Sequence, residues 1–136
     1  MNFFEKELRG MFQHRTLLKD PVFCGKAMLA KLDEELRIRL EFVISNTIDK
    51  YTGIEAKIIN RTGGMVDRNV FRFADIIGMK QTPLCGKHEP YIWVYHDETV
   101  CWYTPVSDAE KQRIADAVMA YVELYQTPQQ GPDMKM

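Results

Sequence analysis

The segment Leu36–Ser45, LRIRLEFVIS, places the tightest constraint on the fold. Leu36, Ile38, Leu40 and Phe42 alternate with Arg37, Arg39 and Glu41, the period of two that sends successive side chains to opposite faces of a strand. With one face apolar and the other charged, the strand belongs in an antiparallel sheet that has one face on a core and one in water. Its neighbours in sequence fit that sheet. Val22 to Leu32 reads as a strand weakened at Gly25. A loop at Asp33-Glu34-Glu35 then sets Leu32 opposite Leu36 and Ala30 opposite Ile38, which keeps the apolar face continuous. Ser45 to Gly53 is polar and turn-like. Ile54 to Arg61 follows with Ile54, Ala56 and Ile58 inward, and Thr62-Gly63-Gly64 supplies the backbone freedom for a turn into Met65–Phe73.

Two helices flank these strands. Phe4, Leu8, Met11 and Phe12 fall at helical spacing within residues 2–14, where Gly10 costs about 1 kcal/mol relative to alanine. Ser107-x-x-Glu110 is a capping box opening a helix over 108–125, whose apolar stripe is Ile114, Val118, Tyr121 and Leu124/Tyr125. Asp75–Gly78 reads as a helical turn or a strand end, and Met79–Pro90 as irregular chain. The fold class is therefore α+β: an antiparallel meander sheet of about six strands, with an N-terminal helix and a long C-terminal helix packed on it. Residues 1–127 form a single domain, and residues 128–136 are expected to be a disordered tail, since QQGPDMKM offers nothing to pack.

Composition narrows the class of partner. The 136 residues carry 18 lysines and arginines against 19 acidic residues, a net charge of −1, which argues against a chain-wide binder of nucleic acid or anionic membrane. No run approaches the apolar length of a membrane span. Glu5, Glu7 and Arg9 occupy the positions where a signal peptide would be apolar. A cytoplasmic location follows, with the 3 cysteines reduced.

Both tryptophans lie in PYIWVYHDETVCWYT, residues 90–104. Aromatic and β-branched residues this dense form a hairpin. A tip at His96–Thr99 pairs Tyr95 with Val100 and Trp93 with Trp102. Tyr91, Trp93, Tyr95, Val100 and Trp102 then share one face, and Ile92, Val94, His96, Cys101 and Tyr103 the other. Two helices, one near each terminus, are expected to cover the two sheet faces. Any uncovered part of Tyr91, Trp93, Tyr95 and Trp102 would be a binding surface, because such side chains supply large contact area at low entropic cost.

Two other constellations carry chemistry. Arg37, Arg39, Lys57, Arg61, Arg68 and Arg72 gather on the outward side of adjacent strands, and with nearby aromatics they would suit a single-stranded nucleic acid, although Glu41, Glu55 and Asp67 dilute the charge. Cys85-x-x-His88, His96 and Cys101 offer the ligand types of a zinc site, and Cys85 with His88 the pair of a cysteine-dependent enzyme. With one close-spaced ligand pair rather than two, and no third orienting group, both stand behind their plain readings as loop and strand residues, and no cofactor is expected.

The opening MNFFEKELRGMF, the run INRTGGMVDRNVFRFADIIG and the hairpin PYIWVYHDETVCWY resemble a family of small uncharacterised proteins of Gram-positive gut bacteria that travel with mobile or conjugative elements. The resemblance implies a bacterial cytosolic accessory protein and carries no functional residue across. Together these observations favour a non-enzymatic protein-interaction or self-associating module. The alternatives are a nucleic-acid-binding accessory protein and a small-ligand-binding or cysteine-dependent enzyme.

Overall fold

A computed structural model describes residues 2–44, 50–80, 89–94 and 100–125. Helix α1 (Phe3–Phe12) is followed by strands β1 (Lys19–Cys24), β2 (Ala27–Lys31), β3 (Leu36–Ile44), β4 (Lys50–Asn60) and β5 (Met65–Arg72). The short α2 (Phe73–Ile77), the strands β6 (Ile92–Val94) and β7 (Val100–Trp102), and α3 (Asp108–Glu123) complete the order. All seven strands form one antiparallel sheet, so the fold is α+β. The meander runs from β1 to β5. The last hairpin then returns to β4, with β6 pairing at Lys50 and Tyr51 on the edge of β4 that β5 occupies further along.

Local chemistry makes the turns. The Asp33 carboxylate accepts from the N–H groups of Glu35 and Leu36, both at 2.8 Å, closing the β2–β3 loop as an Asx turn. The Asn60 Oδ1 accepts from the N–H of Thr62 at 3.1 Å and of Gly64 at 2.8 Å, while Gly63 takes φ +96°. The stretch expected as a single strand, Val22–Leu32, is instead a hairpin. Gly25 at φ +59° turns the chain so that Cys24 pairs with Ala27. Apolar residues on both sides of Gly25-Lys26 conceal this, because glycine's freedom to adopt that φ leaves no mark on the hydrophobic pattern.

The expected pairing of Ala30 with Ile38 is present, and the structure adds Ile38 opposite Ile58, Leu40 opposite Ala56 and Phe42 opposite Ile54. Ile38, Leu40, Ile54, Ala56 and Ile58 have no exposure at all. On this face α1 contributes Leu8, Met11 and Phe12, α2 contributes Phe73 and Ile77, and α3 contributes Ile114, Ala115, Val118 and Val122. Phe4 of α1 packs on Phe42 and Tyr51, and Phe73 on Phe42 and Trp102. The expected capping box is present, with Ser107 Oγ accepting from Glu110 N–H at 3.1 Å and Glu110 Oε1 accepting from Ser107 N–H at 3.0 Å.

One expectation about layers fails. All the described helices pack on the same sheet face rather than one on each. Polar contacts tie α1 to α3: Arg15 donates to Gln112 Oε1 at 2.6 Å and pairs with Asp116 at 2.9 Å, and Gln112 donates to Gly10 O at 3.1 Å. The hydrophobic stripes of both helices are satisfied by the one apolar face of β2, β3 and β4, so neither has reason to cross to the charged face. Among the described residues no helix is long and apolar enough to cross a membrane.

Two glycines separate packing from propensity. A Cβ on Gly53 would stand 2.5 Å from the backbone oxygen of Phe71, whereas one on Gly10 would meet nothing within 4 Å. Gly53→Ala is expected to lower unfolding stability by about 1–3 kcal/mol through overpacking of β4 on β5, and Gly10→Ala to raise it by about 1 kcal/mol. Urea denaturation of the two variants beside the parent checks both signs.

Candidate functional site

The face of the sheet away from the helices is built in cross-strand rows. Arg39 lies opposite Lys57, and Lys57 opposite Arg68, so a row of cations spans β3, β4 and β5. The next row runs from Glu41 to Glu55 to Val70. Like charges directly opposite on a sheet repel, and here the repulsion is relieved between rows. Arg39 pairs with Glu41, Glu55 takes both Arg68 and Lys57, the latter at 3.7 Å, and Glu41 also draws Lys26 at 3.8 Å. Each such exposed pair contributes about 0–1 kcal/mol. Their stronger effect is on the surface potential, which alternates rather than staying positive.

The other members of the expected basic face are engaged in the same way. Arg72 pairs with Glu89 at 2.8 Å, and Arg37 donates to the Asp33 carbonyl at 2.9 Å and to that of Leu36 at 3.1 Å. Arg61 stands apart in the β4–β5 turn, 3.7 Å from Glu35. Arg37, Arg39, Lys57, Arg68 and Arg72 thus do share a face, with carboxylates or carbonyls already on them. Asp67, expected among the diluting acids of that face, lies opposite Ile58 on the helix side instead.

The aromatic hairpin has a different register from the expected one. Ile92 pairs with Trp102, Trp93 with Cys101 and Val94 with Val100. Five residues, 95–99, therefore separate the closing pair, and this one-residue change reverses the facing of β7. Trp102 consequently leaves the expected binding set. Its ring lies 5.0 Å from that of Phe73 on the helix side, and its Nε1–H donates to Glu7 Oε1 at 3.2 Å. Lys111 Nζ reaches the same Glu7 oxygen at 3.0 Å, over the Trp102 ring at 5.6 Å. Placing Trp102 inward fills the space beside Phe73 and satisfies the indole N–H, which the expected register would not have done.

Tyr103 takes the place of Trp102 on the outer face. Tyr91 and Tyr103 stack at 5.0 Å, Trp93 lies 5.2 Å from Tyr103, and Lys50 Nζ sits 4.3 Å from the Tyr91 ring and 5.0 Å from that of Trp93. Tyr91 is only 3% exposed, so the stack is largely structural. Tyr95, Cys85, His88 and His96 lie outside the described residues. Cys101 lies opposite Trp93, and among the described residues no three His, Cys, Asp or Glu side chains gather as a metal site.

Three features escape sequence reasoning. Lys50 falls in a stretch whose composition reads as turn. Glu7 and Lys111 are too far apart in sequence to be read as a pair. The third is a cluster at the end of α3, where the Tyr125 hydroxyl donates to Asp67 on β5; the i,i+4 spacing of Tyr121 and Tyr125 is its only local sign. That hydrogen bond holds the Asp67 carboxyl below its usual value, and Asp67 in turn raises Tyr125. Burial first, and Asp67 second, push Tyr121 up. These shifts move each group away from neutral pH, and the hydrogen bond ties the end of α3 to β5.

An open cleft of about 380 Å³ lies between α1 and α3, lined by Lys6, Glu7, Met11, Asp108, Lys111 and Gln112. Its central charges, Glu7 and Lys111, already satisfy each other. Comparison with protein-family models, curated proteins and solved structures found no match.

The Glu110 carboxyl, bonded first by Lys80 and then by the Ser107 N–H, is held below its ordinary value of 4.5. A carboxyl lowered on folding contributes stability above its unfolded-state value, and that contribution is lost as pH falls through the folded-state value. Glu110→Gln is expected to lower the Tm at neutral pH and to flatten its decline below that point. Thermal scans of variant and parent between neutral and acidic pH check the direction.

Proposed function

We propose that this chain is a non-enzymatic interaction module that works by associating with a second copy of itself. The exposed apolar edge of the sheet carries this reading. Met65, Val66 and Val70 are 62%, 49% and 38% exposed along the single strand β5, and β5 pairs only with β4 among the described strands. An open edge bearing apolar side chains is the sheet feature most prone to pair with another chain, and natural proteins usually blunt it. The helix-free face beside it alternates in charge, which suits a surface of matching alternation and disfavours a uniformly charged polymer. Light scattering across a concentration series is expected to show a monomer–dimer equilibrium. A mass that stays at one chain to the highest attainable concentration would remove the reading.

A second reading is favoured by the row Arg39, Lys57 and Arg68, which spans three strands as a phosphate-tracking surface would. Against it, Glu41 and Glu55 already hold these cations, and a phosphate would have to displace a carboxylate while its neighbour stayed. A labelled single-stranded oligonucleotide titrated at low ionic strength is expected to show no salt-dependent binding. Affinity that falls steeply with added salt would reverse the order of the two readings.

A further inference from the structure

Among the described strands two long ones, β1 and β5, pair on one side only, and these edges differ. Along β1 the register to β2 shifts between Lys19 and Val22, Pro21 interrupts the donors, and Asp20 takes φ 50°. Proline and irregularity are ordinary ways of closing an edge to further pairing. β5 lacks both. From Asp67 to Arg72 it runs in unbroken register with β4, and its side chains are mostly exposed.

The donors on that edge can be assigned. The Val70 N–H goes to the Oδ1 of Asn69 at 3.0 Å, a short-range bond that a donor in the β4 ladder would have no need to make. Val70 therefore turns its N–H and C=O to the free edge, and by alternation so does Arg68. A second strand would bond to these two residues.

Charge then selects among the twofold arrangements centred on Asp67 to Val70, the middle of β5. An axis at Arg68 sets that guanidinium against its own copy, an axis at Asp67 sets two carboxylates together, and an axis at Val70 places Arg68 opposite Arg72. Each puts like charges directly across the junction. An axis at Asn69 avoids all three: Arg68 faces Val70 of the second copy, Asp67 faces Phe71, and Asn69 faces itself. It also joins the rows of the outer face. The acidic row Glu41–Glu55–Val70 of one copy continues into the cationic row Arg68–Lys57–Arg39 of the other. Asn69 is exposed on the helix side of β5, so α3 does not cover the axis position.

We infer that two copies pair antiparallel through β5 about a twofold axis at Asn69, forming one continuous sheet with all helices on one side; this rests on the self-association proposed above. Arg68 and Val70 of opposite copies exchange both of their edge hydrogen bonds. The Asn69 carboxamide, which occupies the Val70 donor in the free chain, is released on pairing to meet its counterpart across the axis. The two helix-free faces become contiguous.

The test is Asn69→Cys in an otherwise unchanged chain, equilibrated in a glutathione redox buffer. At a non-hydrogen-bonded antiparallel pair the two Cα atoms stand about 4.5 Å apart, within disulfide range. A disulfide joining the two introduced thiols of N69C, identified by mass spectrometry of proteolytic peptides, is expected, with the parent chain as control for its native thiols. Arg72→Cys places its copies about 20 Å apart across the same axis, six residues at strand rise, and is expected to give no disulfide between the introduced thiols. Val70→Pro removes an edge-facing donor, with its bond to Asn69, and leaves the donors that face β4 in place. It is expected to keep the parent's circular dichroism while the dimer dissociates roughly tenfold or more readily. A dimer of N69C that forms without the disulfide at that position, or a parent-like dimer that survives Val70→Pro in a folded chain, overturns the β5 pairing and leaves self-association standing. A parent chain that stays monomeric overturns both.

Discussion

The structure depends on the continuous pairing of β4 on both of its edges. β3 runs along one side of β4 from Tyr51 to Asn60, and β5 and β6 divide the other. Because β4 is central, Ile54, Ala56 and Ile58 are fully buried and their alternation sets the facing of every strand that joins it. Gly53 has a particular place in this arrangement. The carbonyl of Phe71 comes so close that no side chain fits between the strands there, so the tight approach of β5 requires a glycine at that point.

Once β4 defines an apolar and a charged face, the helices have only one surface to bury against. α1 and α3 meet over it and are locked to each other through Arg15, Gln112 and Asp116. The inward Trp102, held between Phe73 and the Glu7–Lys111 pair, closes the end of the same core. None of the described helices lies on the opposite face, where charges alternate in rows across β3, β4 and β5. Function, on this reading, follows from what the core did not need to cover.

Much of the fold was legible because its signals are short-range. The alternation in Leu36–Ile44, the Asp33 and Asn60 turns, and the Ser107–Glu110 capping box each lie within a few residues and appear where the spacing places them. The hairpin at Gly25 was hidden, since apolar residues resume on either side of Gly25-Lys26 and only the backbone φ distinguishes a turn from a weak strand position. The candidate site was half legible. The cations Arg39, Lys57 and Arg68 do align, as period two requires, but their carboxylate partners sit on neighbouring rows whose registry depends on how strands pair.

By itself the sequence determined the α+β class, the inward and outward residues of the central strands, and the start of the last helix, all of which arise from local periodicity and capping. Tertiary structure alone decided the facing of Trp102, the placement of all helices on one side, and the isolation of β5 at an edge. Each of these rests on contacts between distant segments: Trp102 and Glu7 are 95 positions apart. A one-residue difference in a loop reverses a strand's facing without altering its pattern, so only the packing of the whole chain selects between the two.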